Sequence, residues 1–209
     1  FDAIFPEPDR TSPKNILPLW QSSAVKTLET DLAGLPDHDR VLADALPGKN
    51  VVTGFAVLFE ANENRPPVKT EFSYVGESPA AHLPPFHGAV VDLPEIEGAS
   101  LGNGCINTIQ ERDGVVRRVP FVFSLEGVLY PSLVAGALNA YQDQAGFLIR
   151  YAGDSEKKGL WQRDGITRIL GGDLDLPVDG QGRIWLYDAG YVPGRFIPAW
   201  KVFEGEIAR

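Results

Sequence analysis

Val51-Val52-Thr53-Gly54-Phe55-Ala56-Val57-Leu58-Phe59 is the longest apolar run in the chain, interrupted only by Thr53 and Gly54. Its β-branched and aromatic residues do not alternate with polar ones, which predicts a strand buried on both faces. The run has about half of the roughly 18–20 apolar residues that a membrane-crossing helix needs, so it does not span a bilayer.

Working outward, both sides of this strand read as mixed structure. Upstream, Leu19, Trp20, Val25, Leu28 and Leu32 recur at helical spacing and predict an amphipathic helix over about 19–33. Pro36 and Asp37 open a second helix, with Val41, Leu42, Ala45 and Leu46 as its stripe and Pro47-Gly48 as its stop. Phe1–Phe5 reads as a strand end closed by Pro6-Glu7-Pro8-Asp9. Downstream, residues 60–88 are proline-rich and irregular, with short strands expected at Thr70–Tyr74 and Ala89–Asp92. Cys105–Gln110 and Val115–Phe123 read as a hairpin turning at Arg112-Asp113-Gly114, and Pro120 points to an edge or bulge. Tyr130-Pro131-Ser132 reads as a helix start, with Leu133, Val134, Ala137, Leu138 and Tyr141 on one face and Gly146 closing it. Phe147–Ala152, Ile166–Leu170 and Arg183–Tyr187 are further strands, the last preceded by the turn Asp179-Gly180-Gln181-Gly182, and Ile197 to about Glu204 is a terminal helix begun at Pro198. The sum is a single α/β domain, or a mixed α+β one, with a mixed β-sheet and helices packed on it.

Composition narrows the function. The 209 residues hold 44% hydrophobic and 22% charged residues, which suits a folded globular chain. The net charge of −9 repels phosphate backbones and anionic lipid heads, so no nucleic-acid partner is expected. A single cysteine, Cys105, excludes an internal disulfide and a multi-cysteine zinc site. The absence of methionine and the mid-strand look of Phe1–Phe5 lead us to expect a fragment of a longer protein.

Chemistry-bearing clusters are few. Asp37-His38-Asp39 could bind a divalent metal or tune a general base; the favoured reading is a helix start, where carboxylates satisfy free N–H groups. His82 and His87 lack the register of a zinc motif. Gly102-Asn103-Gly104 is read as a turn before a strand, since neither a third glycine nor a Lys-Ser/Thr pair follows. Ser132 is placed as a helix cap and Cys105 in the core. Arg117 and Arg118 point to opposite faces of a strand, so at most one enters a given pocket.

Several segments, in this order and spacing, resemble the type-two CHASE domain, the "cyclases/histidine kinases associated sensory extracellular" module. They are Phe5-Pro6-Glu7-Pro8-Asp9-Arg10-Thr11-Ser12-Pro13, Pro36-Asp37-His38-Asp39, Asn50–Phe55, Gly102-Asn103-Gly104 with Asn107, and Asp113-Gly114-Val115-Val116-Arg117-Arg118-Val119-Pro120. Tyr130-Pro131-Ser132-Leu133, Asp179–Tyr187 and Ile197-Pro198-Ala199 continue the match, and the block from Asp113 to Pro120 is its most specific part. The resemblance implies a sensor and not a catalyst. It implies a periplasmic or extracellular position in a bacterial membrane receptor, after one transmembrane helix and before a short group of them. The output it implies is a cytoplasmic adenylate, guanylate or diguanylate cyclase, or a protein kinase. The final hydrophobic strand and closing glycine of that pattern are missing beyond Arg209.

We therefore expect residues 1–209 to form an extracytoplasmic sensory domain that takes an unidentified small-molecule or protein ligand, with no cofactor, metal or catalytic residue. A homodimer is expected, joined to the membrane through flanking helices outside this chain. Asp9, Arg10, Asp37, His38, Asn107, Arg117 and Tyr130 are the residues expected to line its pocket. A secreted small-molecule-binding protein, or a hydrolase or metal enzyme centred on His38, are the competing readings.

Overall fold

The computed structural model describes residues 3–19, 34–75, 78–151, 165–187 and 190–205. The opening run forms β1 (Val52–Leu58), buried from Val52 to Phe55 and again at Val57. It is flanked on both sides, in parallel by β5 (Gly102–Cys105) and antiparallel by β4 (Gly88–Val90). Two partners and two covered faces explain why the run carries no polar alternation.

β3 (Pro85–Phe86) runs directly toward β4, with His87 between them donating its N–H to Leu58 O at 2.9 Å. This single extended stretch serves two ladders, because β3 lies parallel to β7 (Val122–Leu125), which in turn pairs antiparallel with β8 (Val128–Pro131). A lone parallel bridge between Cys105 and Ser132 ties the end of β5 to the residue after β8. These strands supply one buried cluster, including Phe55, Val57, Phe86, Phe123 and Tyr130, with the Phe55 and Tyr130 rings edge to face at 5.6 Å. A second ladder orders β11 (Leu174–Pro177), β10 (Ile166–Gly171), β9 (Gly146–Tyr151) and β2 (Glu71–Tyr74). Phe147, Ile149, Ile166 and Ile169 from it pack with Phe121 in a second cluster.

The α/β class holds, and the strands divide among several mixed sheets. The expected hairpin across 105–123 does not form. β5 pairs with β1 instead, and residues 106–117 carry no strand. The second arm splits at Phe121 into β6 (Arg118–Pro120) and β7, which take different partners, β6 pairing with β12 (Arg183–Trp185). Pro120 has no N–H to continue one ladder, which is where the exchange occurs. The turn chemistry at 111–115 is nonetheless real: Asp113 accepts the Val115 N–H at 3.1 Å and Gly114 has φ +78°. The tight hairpin lies at Glu126-Gly127, both with positive φ, as a two-residue turn of the primed kind requires.

Gly102-Asn103-Gly104 is likewise strand and not turn. It packs against α4 (Leu133–Gln142), whose buried face is the small and polar set Ala135, Gly136 and Asn139. Val134 and Tyr141, expected on the apolar face, are 63% and 83% exposed. A Cβ on Gly104 would lie 2.5 Å from Leu133 Cα, and one on Gly136 would lie 2.5 Å from Asn103 O. So close an approach fills that face with small residues, while Leu138 packs against the second cluster and Val134 and Tyr141 face outward. Tyr130 and Pro131 belong to β8, and the helix begins at Ser132, whose hydroxyl accepts the Ala135 N–H at 3.2 Å. It ends at Asp143 in the left-handed region (φ 49°), before Gly146.

Of the other helices, α1 (Pro13–Ile16) is a single turn, α2 (His38–Ala45) and α3 (Pro94–Ala99) pack together around Ala43, Leu46 and Ile96, and α5 (Ala199–Phe203) follows Pro198 as expected. The helix expected over 19–33 falls, from Trp20 on, outside the described residues. Ala3–Phe5 forms no strand; Phe5 instead donates its N–H to Asp92 Oδ1 at 2.7 Å and accepts the Leu93 N–H at 2.8 Å.

Gly104→Ala is expected to destabilise the chain by about 1–3 kcal/mol through overpacking of backbone on backbone. Gly98→Ala, exposed on α3 with nothing within 4 Å of its new methyl, is expected to stabilise by about 0.5–1 kcal/mol. Urea unfolding of the two variants beside the parent checks both signs.

Candidate functional site

Three of the seven expected site residues meet at the start of α2. Asp37 is its N-cap, and its side chain accepts the Asp39 N–H. The chain segment 9–15 is laid across this helix end by polar contacts. His38 Nδ1 donates to Asp9 Oδ2 at 2.9 Å, and since a carboxylate only accepts, Nδ1 carries the proton. Asp9 donates its N–H to Asp39 Oδ2 at 2.8 Å, Ser12 Oγ donates to Asp37 Oδ1 at 3.0 Å, and Lys14 pairs with Asp37. Thr11 gives both its N–H and its hydroxyl to Asp9 Oδ1, each at 2.7 Å. These bonds to Thr11, with His38 after them, hold the Asp9 carboxyl down at about 2. Asp37 is lowered mainly by Lys14. Each carboxylate here is thus occupied in fastening the N-terminal segment. Arg10, beside them in sequence, is exposed and among the described residues bonds Glu7, at 2.7 Å.

Asn107 and Tyr130 serve the core. The Asn107 amide stands in for a strand backbone, accepting the Val57 N–H at 2.8 Å and donating to Val57 O at 3.0 Å. The Cys105 thiol donates to Asn107 Oδ1 at 3.2 Å, and burial pushes that thiol up to about 12. Tyr130 is buried, with its hydroxyl donating to Pro66 O at 3.0 Å.

Arg117 belongs to a second cluster, whose pivot, Asp179, was not among the expected site residues. Asp179 Oδ1 accepts the N–H groups of Gln181 and Arg183, each at 3.0 Å, which shapes the turn before β12. Its Oδ2 accepts Arg118 Nη1 and Arg183 Nε, each at 2.8 Å. Burial works against the charge on Asp179, yet the bonds from Arg183 and from the Gln181 backbone prevail and keep its carboxyl below the usual range. Arg118 also donates through Nε to Glu111 Oε1 at 2.9 Å and lies over the Trp185 ring at 5.1 Å. Arg117 binds Asp113 at 2.8 Å and Glu111 at 3.3 Å. Beside the cluster is an open cavity lined by Gln110, Glu111, Arg112, Asp113, Arg118 and Arg183. Of the two adjacent arginines only Arg118 lines it, yet the opposite faces expected of the pair are not observed: Arg117 lies outside β6 and both pair with Glu111. The turn at Asp179 was legible in sequence, but its partner Arg118 lies 61 residues away and no local signal announces it.

Under α3 a third polar group is structural. Lys69 Nζ pairs with Glu97 at 3.3 Å and donates to Ser100 O at 2.9 Å, while Glu97 Oε1 accepts from Asn103 Nδ2 at 2.8 Å. Among the described residues no group of three or more His, Cys, Asp or Glu side chains is placed to hold a metal, and no helix is long and apolar enough to cross a membrane.

Segments 9–13 with 37–39 and 113–118 with 179–185, which meet in these clusters, are among those that carried the resemblance. The match to the CHASE2 domain family runs over residues 1–209, the whole chain. The chain belongs to the CHASE2 domain family. No curated protein and no solved structure matches it. CHASE2 domains are extracellular sensor domains of receptors, sensory and not catalytic. In this CHASE2 domain the motif segments act as fasteners between distant parts of the chain.

Two outcomes follow. Asp9, Asp37 and Asp179 all have depressed carboxyls, so their stabilisation is complete above the unfolded value of about 4 and is lost as the pH falls toward 2. Urea midpoints are expected to drop across that window, and Asp9→Asn to flatten the drop; an unchanged slope in the variant would contradict this. Cys105, buried and with its thiol held at high pKa, is expected to react with a thiol reagent at pH 8 only when the domain unfolds. Labelling rates measured against urea concentration test it.

Proposed function

We propose that this CHASE2 domain is the extracytoplasmic sensor of a bacterial transmembrane signalling receptor. It binds a ligand outside the membrane and passes the signal to a cytoplasmic cyclase or protein-kinase output, with two copies paired as a homodimer. Membership of the family over the whole chain carries the reading. The fastening of the N-terminal segment supports it. Residues 5–14 are held to the body by Phe5 with Asp92, Asp9 with His38, and Lys14 with Asp37, contacts that a conformational change can exchange one by one. A ligand that prefers one arrangement of these contacts shifts the population, and that difference in affinity is all the free energy available to the signal.

The test is the complete reading frame. Apolar spans of about 20 residues before Phe1 and after Arg209, with a cyclase or kinase domain beyond them, are the expected result. A stop codon soon after Arg209 behind a cleavable leader would overturn the receptor reading.

A further inference from the structure

The cavity beside the Asp179 cluster has a volume of about 560 Å³ and a lining made wholly of polar and charged residues. Its charge is uneven in an informative way. Around it four guanidiniums, of Arg112, Arg117, Arg118 and Arg183, face three carboxylates, of Glu111, Asp113 and Asp179, in a chain whose net charge is −9. Each carboxylate is already engaged: Asp113 by Arg117, Glu111 by Arg117 and Arg118, Asp179 by Arg118 and Arg183. A cation entering here meets carboxylates that are already neutralised. Arg112, by contrast, has no hydrogen-bond or ion-pair partner among the described residues.

The remaining donors are pre-set. Arg118 spends Nε on Glu111 and Nη1 on Asp179, and its plane is held over Trp185, so Nη2 is left over. Arg183 spends Nε and Nη2 on Asp179, leaving Nη1. Guanidiniums fixed in this way lose little rotamer freedom when they bind an oxyanion, and their planar forks match carboxylate and phosphate oxygens.

We propose that this cavity binds a small oxyanion, a carboxylate or phosphate group, with Arg112 as its principal cation and Arg118 and Arg183 as pre-oriented donors. The proposal rests on the sensor reading and names the class of ligand such a sensor takes. A long polyanion is disfavoured by the chain's net charge of −9.

Isothermal titration of the 209-residue chain with sodium succinate and, separately, with sodium phosphate tests it at low ionic strength with chloride matched. Saturable one-to-one binding of at least one probe is expected. Succinate alone would assign a carboxylate, phosphate alone a phosphate, and both a general oxyanion site. Arg112→Gln breaks no internal bond and is expected to weaken binding by about tenfold or more, the worth of a charged hydrogen bond. Arg183→Gln is expected to weaken it as well. Arg168→Gln, which removes an equal charge from the exposed pair with Asp175 on β10, is expected to leave it unchanged. Absence of binding by both probes, or equal weakening by Arg112→Gln and Arg168→Gln, overturns the proposal. Either result leaves the sensor reading standing, whereas a reading frame without membrane spans overturns that reading and leaves a measured oxyanion site in place.

Discussion

The backbone-to-backbone approach of β5 and α4 is the constraint around which the rest is arranged. Gly104 lies against Ser132 and Leu133, and Gly136 against Asn103, so that any side chain at either glycine would overlap main chain. β5 in turn pairs with β1 in parallel, and β1 then accepts β4 on its other edge. A parallel neighbour cannot follow through a tight turn, so the chain between β1 and β5 has to make a long excursion. That excursion supplies β2, β3, β4 and α3, and through β2 it reaches the second ladder. Two glycines on β5 and α4 thereby set how near the helix comes, and the helix sets where the ladders can lie.

Polar side chains then do what loops alone would not. The Asp9–His38 contact and the bonds of Asp37 fasten an N-terminal segment of which Phe5, among the described residues, packs against a core cluster. Asp179 does the same for the second half of the chain, joining Arg118 to Arg183 where β6 and β12 form a two-stranded ladder. Neither ion pair is fully buried, so each acts less by raw Coulomb energy than by fixing a register between short elements. Contacts of modest worth in several places suit the conformational exchange proposed for this domain.

Much of the architecture was legible where the signal is local. The buried strand at 51–59, the cap at Asp37, the cap at Ser132 and the turn at Asp179 each follow from side-chain chemistry within a few residues. The strands after residue 146 were legible too, because alternation and turn residues bracket them. Partner choice was not. The run from Val115 to Phe123 reads as one strand, yet at Pro120 it is divided between two ladders, one shared with β12 and the other with β3 and β8. Glu126-Gly127 carries no clear turn signal in sequence, because glutamate is not a residue that turn chemistry favours at positive φ.

The candidate site divides the same way. By itself the sequence determined the family, through motif segments spread over the whole chain, and it determined the acidic balance and the residues that cap and turn. Only the tertiary structure decided which of those polar residues share a place. It brought Asp9, Asp37 and His38 together, sent Asn107 and Tyr130 to the core, and joined Arg118 to Asp179 across 61 residues. The reason is physical: a cap or a turn is closed by bonds between near neighbours and can be read from spacing. A long-range ion pair depends on how two backbones are packed, here the pairing of β6 with β12 that sets Arg118 beside Asp179.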